Sequence, residues 1–233
     1  MSAPSQFVFR ALTLFFAILL GAQCIWLLAA QISRPGIHRL PTNPADAAAA
    51  SQRRGAAATA ATIGVIRGDL WAESAFTYSD LLFDKTASAG NADTSQILAR
   101  ARTSLERAVE DAPITPAAWL LFSGLASRYP SPGFDATEIL KMSYYTGPSD
   151  RGLLLLRLRM AVHSETLNDV EMRQFIARDL RLLITRQQKS EITQTYSAAS
   201  PAGKRFIEQT VKDIDPSFLS SLSSDARAHF LPD

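Results

Sequence analysis

The sequence is poor in the groups that carry most enzyme chemistry. Its single cysteine, Cys24, excludes an internal disulfide framework and any cysteine-cluster metal site. The three histidines, His38, His163 and His229, stand far apart and form no ligand spacing. No P-loop, dinucleotide-binding glycine fingerprint, nucleophile elbow or zinc-helix motif occurs. A catalytic carboxylate pair would have to be picked arbitrarily from 22 acids. Charge of one sign is missing too: 24 basic and 22 acidic side chains leave a formal +2, too little for a dedicated nucleic-acid surface. With 47% hydrophobic residues, 11 Gly and 12 Pro in 233 positions, collagen-like and fully disordered chains are excluded. Neither a two-residue hairpin signal nor sustained alternation of polar and apolar residues appears, so the soluble part reads as all-α. These absences lead to the expectation of a protein that is not an enzyme and takes neither cofactor nor metal.

What the chain does contain is a long apolar run. Ala11 to Ile32 holds 22 positions without a charged side chain, and Arg10 and Arg34 bracket it. A helix rises about 1.5 Å per residue, so the run covers the roughly 30 Å hydrocarbon core of a bilayer. A cleaved secretory signal has a shorter apolar region, about 7–15 residues, ending in a small-x-small site. Here Leu28-Ala29-Ala30 places leucine where a small residue is wanted, and Gln23 before Cys24 spoils a lipoprotein cleavage box. The run reads as an uncleaved anchor, with Cys24 a packing residue inside it.

Composition then divides the rest: a tail over 1–10, the span over 11–32, a Pro/Ala-rich tether over 33–60, helical hairpins over 61–150 and further helices over 151–233. The tether carries Pro35, Pro41 and Pro44 and almost no large apolar residue after Leu40; the alternative is that its alanine-rich part extends the next helix toward the membrane. From Ile63 the pattern turns helical through Ile66, Leu70, Tyr78 and Leu82; a soft loop over 86–93 precedes a second helix near 94–111. Thr115-Pro116 opens a third helix to Arg128; Asp135 caps a fourth that Gly147-Pro148 stops. Leu153 to Met160 suits a buried helix, and His163 the C-terminal end of that helix. Residues 169–187 are amphipathic, Ser200-Pro201 opens a helix to Asp213, and a last short one is expected over 218–230.

Shifting the second helix by 35 residues onto the fourth brings Ala101, Leu105, Ala108 and Pro113 onto Ala136, Leu140, Ser143 and Pro148, with spacing 4, 3 and 5 in both. A small residue admits a neighbouring helix, leucine fills the gap, and proline ends the unit. In this respect the stretch resembles the tetratricopeptide repeat family. Trp119 stands three residues after Pro116, where the family's tryptophan is expected, and Trp71 and Tyr78 keep the separation found in a first repeat helix. Phe122-Ser123 and Ala126 depart from the family's Leu-Gly pair and tyrosine, and no third copy follows within 151–233. The resemblance implies a helical-hairpin domain whose aromatic residues are core and whose surface binds another protein. More loosely, an N-terminal anchor, degenerate repeats and Thr146-Gly147-Pro148 before an arginine- and leucine-rich helix pair look like small bacterial envelope proteins associated with polysaccharide biosynthesis and export. That likeness implies a single-pass inner-membrane protein with a periplasmic helical domain. A strict positive-inside count, with Arg34, Arg39, Arg53 and Arg54 after the span and only Arg10 and the α-amine before it, would keep the domain cytoplasmic, but long domains cross largely regardless of nearby charge.

Charge is unevenly spread. Residues 61–150 hold seven basic and eleven acidic side chains, whereas 151–189 hold eight basic and four acidic. The basic region makes Arg173, Arg178, Arg181 and Arg186 candidate partner-binding residues, with Arg178 and Arg181 expected to point outward. Two functions follow: a membrane-anchored scaffold or adaptor that binds a protein, or an accessory subunit that binds an anionic glycan or lipid through these helices. An enzyme with an unfamiliar site is the third alternative.

Overall fold

A computed structural model describes residues 3–83, 92–163, 165–220 and 222. Among them every regular element is helical, and the chain divides into two compact units: Met1–Asp80 with Ser95–Ala112, and Leu81–Thr94 with Pro113–Asp233. The division cuts through the expected hairpin domain over 61–150, which is not a unit by itself.

The first unit begins with α1, Ala3–Ile32. Its stretch Gln6–Ile32, 27 residues, is long and apolar enough to cross a membrane, and apart from the half-buried Trp26 its large apolar side chains from Phe7 to Ile32 are exposed. Here lies the clearest departure from the sequence reading. The segment expected to be a tether carries two helices, α2 (Pro44–Ser51) and α3 (Arg54–Gly64). Alanine explains both: it has the highest helix propensity, and its small side chain permits close approach. Ala47, Ala50, Ala57, Ala60 and Ala61 are all buried. Asn43 caps α2 by accepting from the Asp46 amide at 2.8 Å, with Pro44 in the first turn.

The helix expected from Ile63 onward is broken. Val65 has φ +40°, which ends α3 and lets the chain reverse into α4, Gly68–Phe76. Gly68 is where α4 crosses the end of α5, Ala92–Asp111: a Cβ there would lie 2.5 Å from that of Ala112 and 2.6 Å from the Ala112 amide nitrogen. Ser74 and Ser104 share a hydrogen bond of 3.1 Å between the same helices. Ala101, Leu105 and Ala108 are fully buried, so the small-Leu-small pattern does mark a packed face. The loop before α5 lies largely outside the described residues.

In the second unit α6 (Pro116–Arg128) packs along α7 (Ala136–Thr146). Asp135 caps α7 through the Thr137 and Glu138 amides, as expected; Thr115 precedes α6 without a side-chain cap. Gly147 ends α7 beside the start of α6, where an added Cβ would meet the Pro116 ring at 2.5 Å. Leu140 and Ser143 are buried, Ala136 half-buried, and Pro113 and Pro148 exposed.

Trp71 and Trp119 share one device. Each is the fourth residue of its helix, half-buried, and donates from Nε1 to the carbonyl six residues back: Val65 and Pro113, both at 2.8 Å. The ring thus closes the loop that enters the helix.

The rest of the unit comprises α8 (Leu154–Ala161), α9 (Val170–Thr185), α10 (Lys189–Ala198) and α11 (Pro201–Ile214). Asp169 caps α9 by accepting from the Met172 amide, and Ser200 caps α11 by accepting from that of Gly203. The sequence reading missed α10, whose apolar positions are few. Residues 216–220 are helical, and the remainder of the expected final helix lies outside the described residues except for Leu222.

Gly203 marks a tight joint, since a Cβ would lie 2.4 Å from the Val162 carbonyl oxygen, which also accepts from the Ser200 hydroxyl at 2.7 Å. Backbone cannot yield as a flexible side chain does. Gly203→Ala is expected to cost about 1–3 kcal/mol of unfolding free energy by overpacking. Chemical denaturation of the purified chain reads this, and an unchanged midpoint would show that the α8–α11 joint is looser than described.

Candidate functional site

The basic residues of 151–189 separate into buried and exposed sets. Arg157, on α8, is 0% exposed. Its guanidinium donates to the Ser143 hydroxyl at 3.0 and 3.1 Å, to the Gly147 carbonyl at 3.0 Å, and to the Ser143 carbonyl. These carbonyls belong to the end of α7, where the last groups of a helix have no partner within it. Arg157 is therefore a structural residue that closes α7, and not part of any basic surface.

Around it stands a buried aromatic and ionic cluster. The Arg157 guanidinium lies 4.5 Å from the Tyr144 ring centroid; Tyr144 stacks on Phe175 at 4.9 Å and 15°; Arg178 lies 5.7 Å from the Phe175 centroid. Asp179, 0% exposed, completes the group, with Arg178 Nη2 at 3.9 Å from its Oδ1. Neither Asp179 oxygen nor the Tyr144 hydroxyl makes a hydrogen bond of ordinary geometry within the described residues. Burial lifts the Asp179 carboxyl to about 6, against the pull of Arg157, the Tyr144 hydroxyl and Arg178. Burial, with Asp179 beside it, also holds Tyr144 well above its ordinary value, and burial lowers Arg157. The cluster joins α7, α8 and α9 through charge as well as apolar contact.

Of the two arginines expected to point outward, Arg181 is exposed. Arg173, Arg181 and Arg186 are exposed and make no ion pair among the described residues. Arg173 and Arg181 lie eight residues apart on α9, about 12 Å along its axis. Arg178 departs from expectation. It is only half-exposed, folds over Phe175 and donates to the Pro148 carbonyl at 3.0 Å. The exposed basic set is thus smaller than the sequence suggested and consists of Arg173, Arg181 and Arg186.

A cavity of about 280 Å³ opens elsewhere in the same unit. Gly124, Leu140, Leu156 and Met160 give it apolar walls, and Arg159 and His163 stand among its polar lining. Arg159 donates to Gln194 Oε1 at 3.1 Å, and partial desolvation lowers His163 from its ordinary value. His163 follows the end of α8 and is exposed. Among the described residues no group of three His, Cys, Asp or Glu side chains is arranged to hold a metal ion.

Two groups escaped the sequence reading although each left a signal. Asp179 occupies the apolar stripe of α9, three residues after Ile176 and seven after Met172, where an acid has no place unless it is paired. Arg157 interrupts Leu153 to Leu158, a run that only a buried helix explains. The other group, in the first unit, had no local signal. Glu73, 3% exposed, accepts from Arg34 Nε at 2.7 Å and meets His38 Nδ1 at 2.8 Å, across separations of 39 and 35 residues.

The described chain is thus an all-helical protein with one helix long and apolar enough to cross a membrane. No protein-family model matches it, and no curated protein or solved structure does either.

Proposed function

We propose that this protein is a membrane-anchored helical adaptor that docks an acidic segment of a partner protein on α9. The observation that carries the reading is the sorting of arginines: Arg157 and Arg178 are used inside the fold, while Arg173, Arg181 and Arg186 stand exposed without ion-pair partners among the described residues. An exposed guanidinium can pair with a carboxylate through two parallel N–H···O hydrogen bonds. Anchoring raises local concentration at the membrane, so modest intrinsic affinity suffices. The resemblance to small envelope proteins of polysaccharide biosynthesis and export supplies a setting, a bacterial inner membrane with a periplasmic domain. An export-dependent reporter fused after Asp233 tests that topology; a silent but stable fusion would overturn it.

The test of the docking face is Arg173→Glu, Arg181→Glu and Arg186→Glu together in the full-length chain. Crosslinking in membranes of the native host is expected to lose its adducts in the triple variant, with the helical content and thermal midpoint retained because all three side chains are exposed. Adducts that survive both the variant and high salt would overturn the reading, since exposed charge pairs are screened. A second reading, an accessory subunit for an anionic glycan, draws support from the cavity with Arg159 and His163 in its lining. Binding of acidic oligosaccharide that is lost in Arg159→Glu and kept in the triple variant would favour it.

A further inference from the structure

The turn between α3 and α4 is apolar, exposed and fixed beside α1. Ala30 of α1 is buried with Ala60, Ala61 and Leu70. One turn earlier in α1, the Trp26 Nε1 donates to the Ile63 carbonyl at 2.6 Å. Ala30 against Ala60 and Ala61, and Trp26 against Ile63, make α3 antiparallel to α1. The end of α3 therefore points back along the apolar run. There the chain exposes two consecutive β-branched residues, Val65 at 57% and Ile66 at 72%.

This turn is held in place at a conformational cost. Val65 lies at φ +40°, a region that β-branched side chains avoid. The Trp71 ring donates to the Val65 carbonyl, and Trp26 to that of Ile63, so two indoles fix the backbone on either side of Gly64. The fold thus presents Val65 and Ile66 outward.

Levels along α1 supply the partner. Val65 and Ile66 lie beyond the Trp26 level, Ala30 faces alanines, and Arg34 contacts Asp69 at 3.3 Å and Glu73 at 2.5 Å. Arg67, just after the turn, pairs with Asp69 at 2.7 Å. Apolar, indole, then charge is the profile of a membrane interface. The 27 residues Gln6–Ile32 span about 40 Å, some 10 Å more than the hydrocarbon core, so the end of α1 that carries the turn falls at the headgroup boundary.

We infer that the Val65–Ile66 turn dips into the same bilayer as α1, a second membrane contact whose partner is the phospholipid interface. This rests on the anchoring of α1 proposed above. It places Val65 and Ile66 about 5–10 Å into the boundary between headgroups and acyl chains, the depth of interfacial apolar segments.

Full-length protein in which Cys24, the only thiol, is changed by Cys24→Ser accepts single reporters. Ile66→Cys, Gln52→Cys in the turn that precedes α3 and Ile18→Cys within α1 are each labelled with an environment-sensitive fluorophore. The chains are reconstituted in phosphatidylethanolamine–phosphatidylglycerol vesicles holding lipid spin-labelled either near the headgroup or near the acyl end. The expected result is quenching at 66 several-fold stronger than at 52 and strongest with the shallow spin label, together with deep quenching at 18. Deep quenching at 18 with no excess at 66 over 52 would overturn the inference and leave the anchor standing. No quenching at 18 would remove the anchor, and the inference with it.

Discussion

Replacing Arg157 by alanine is expected to destabilise the second unit by about 3–5 kcal/mol, the cost of removing one partner from a buried ionic group. Three losses coincide. The Ser143 and Gly147 carbonyls at the end of α7 lose their donor, the Tyr144 ring loses the cation at 4.5 Å, and Asp179 loses its nearest fully buried positive charge. Lysine is expected to recover little, because a single ammonium cannot reach the same acceptors as a planar fork. Equilibrium denaturation followed by far-UV circular dichroism measures the difference. The pair Arg157→Met with Asp179→Asn should cost less than the sum of the two single changes, since it removes both charges together. Simple additivity, or a loss below about 1 kcal/mol for Arg157→Ala, would mean that the cluster contributes no more than packing.

The second large effect is a dependence on pH carried by Asp179. Its folded-state carboxyl titrates at about 6, above the ordinary 3.8, so the folded chain holds this proton more tightly than the unfolded one. The stability this group contributes is therefore complete below about pH 4 and disappears as pH rises through about 6, a change of about 2–3 kcal/mol. His163, lowered by partial desolvation, acts in the opposite direction. Comparison with Asp179→Asn isolates the carboxyl: relative to the natural chain, the amide should gain about 2–3 kcal/mol between pH 4 and pH 7.5. Parallel stability profiles for the two proteins would place the Asp179 pKa near its ordinary value and show that Arg157 and Arg178 offset its burial.

Helix positions in the second unit were legible because their signals are local. Pro116, Asp135, Gly147 and the Ser200-Pro201 pair sit at element boundaries, where capping and steric exclusion act within a few residues. The alanines of 44–64 misled for the same reason: composition alone does not separate a chain that buries nothing from one whose small side chains admit a neighbour. Whether Ala57 and Ala60 are buried depends on what lies against them. Arg178 was misjudged because helical periodicity gives the direction of a Cβ, whereas a long side chain can fold back over Phe175 to the Pro148 carbonyl. The Arg34–Glu73–His38 contacts join residues more than 30 positions apart, and no periodic pattern encodes them.

The junction between α1 and the rest of the first unit has a mechanical consequence. A flexible linker transmits tension and nothing else, so a domain hung on one swivels freely whatever its membrane helix does. Here Trp26 grips the Ile63 carbonyl at one level and Arg34 grips Glu73 two turns further on. Two attachment points separated along an axis resist twisting and tilting. Any rotation or lean of α1 is therefore handed to the helices packed on it as torque, and a force applied to those helices is handed back to α1.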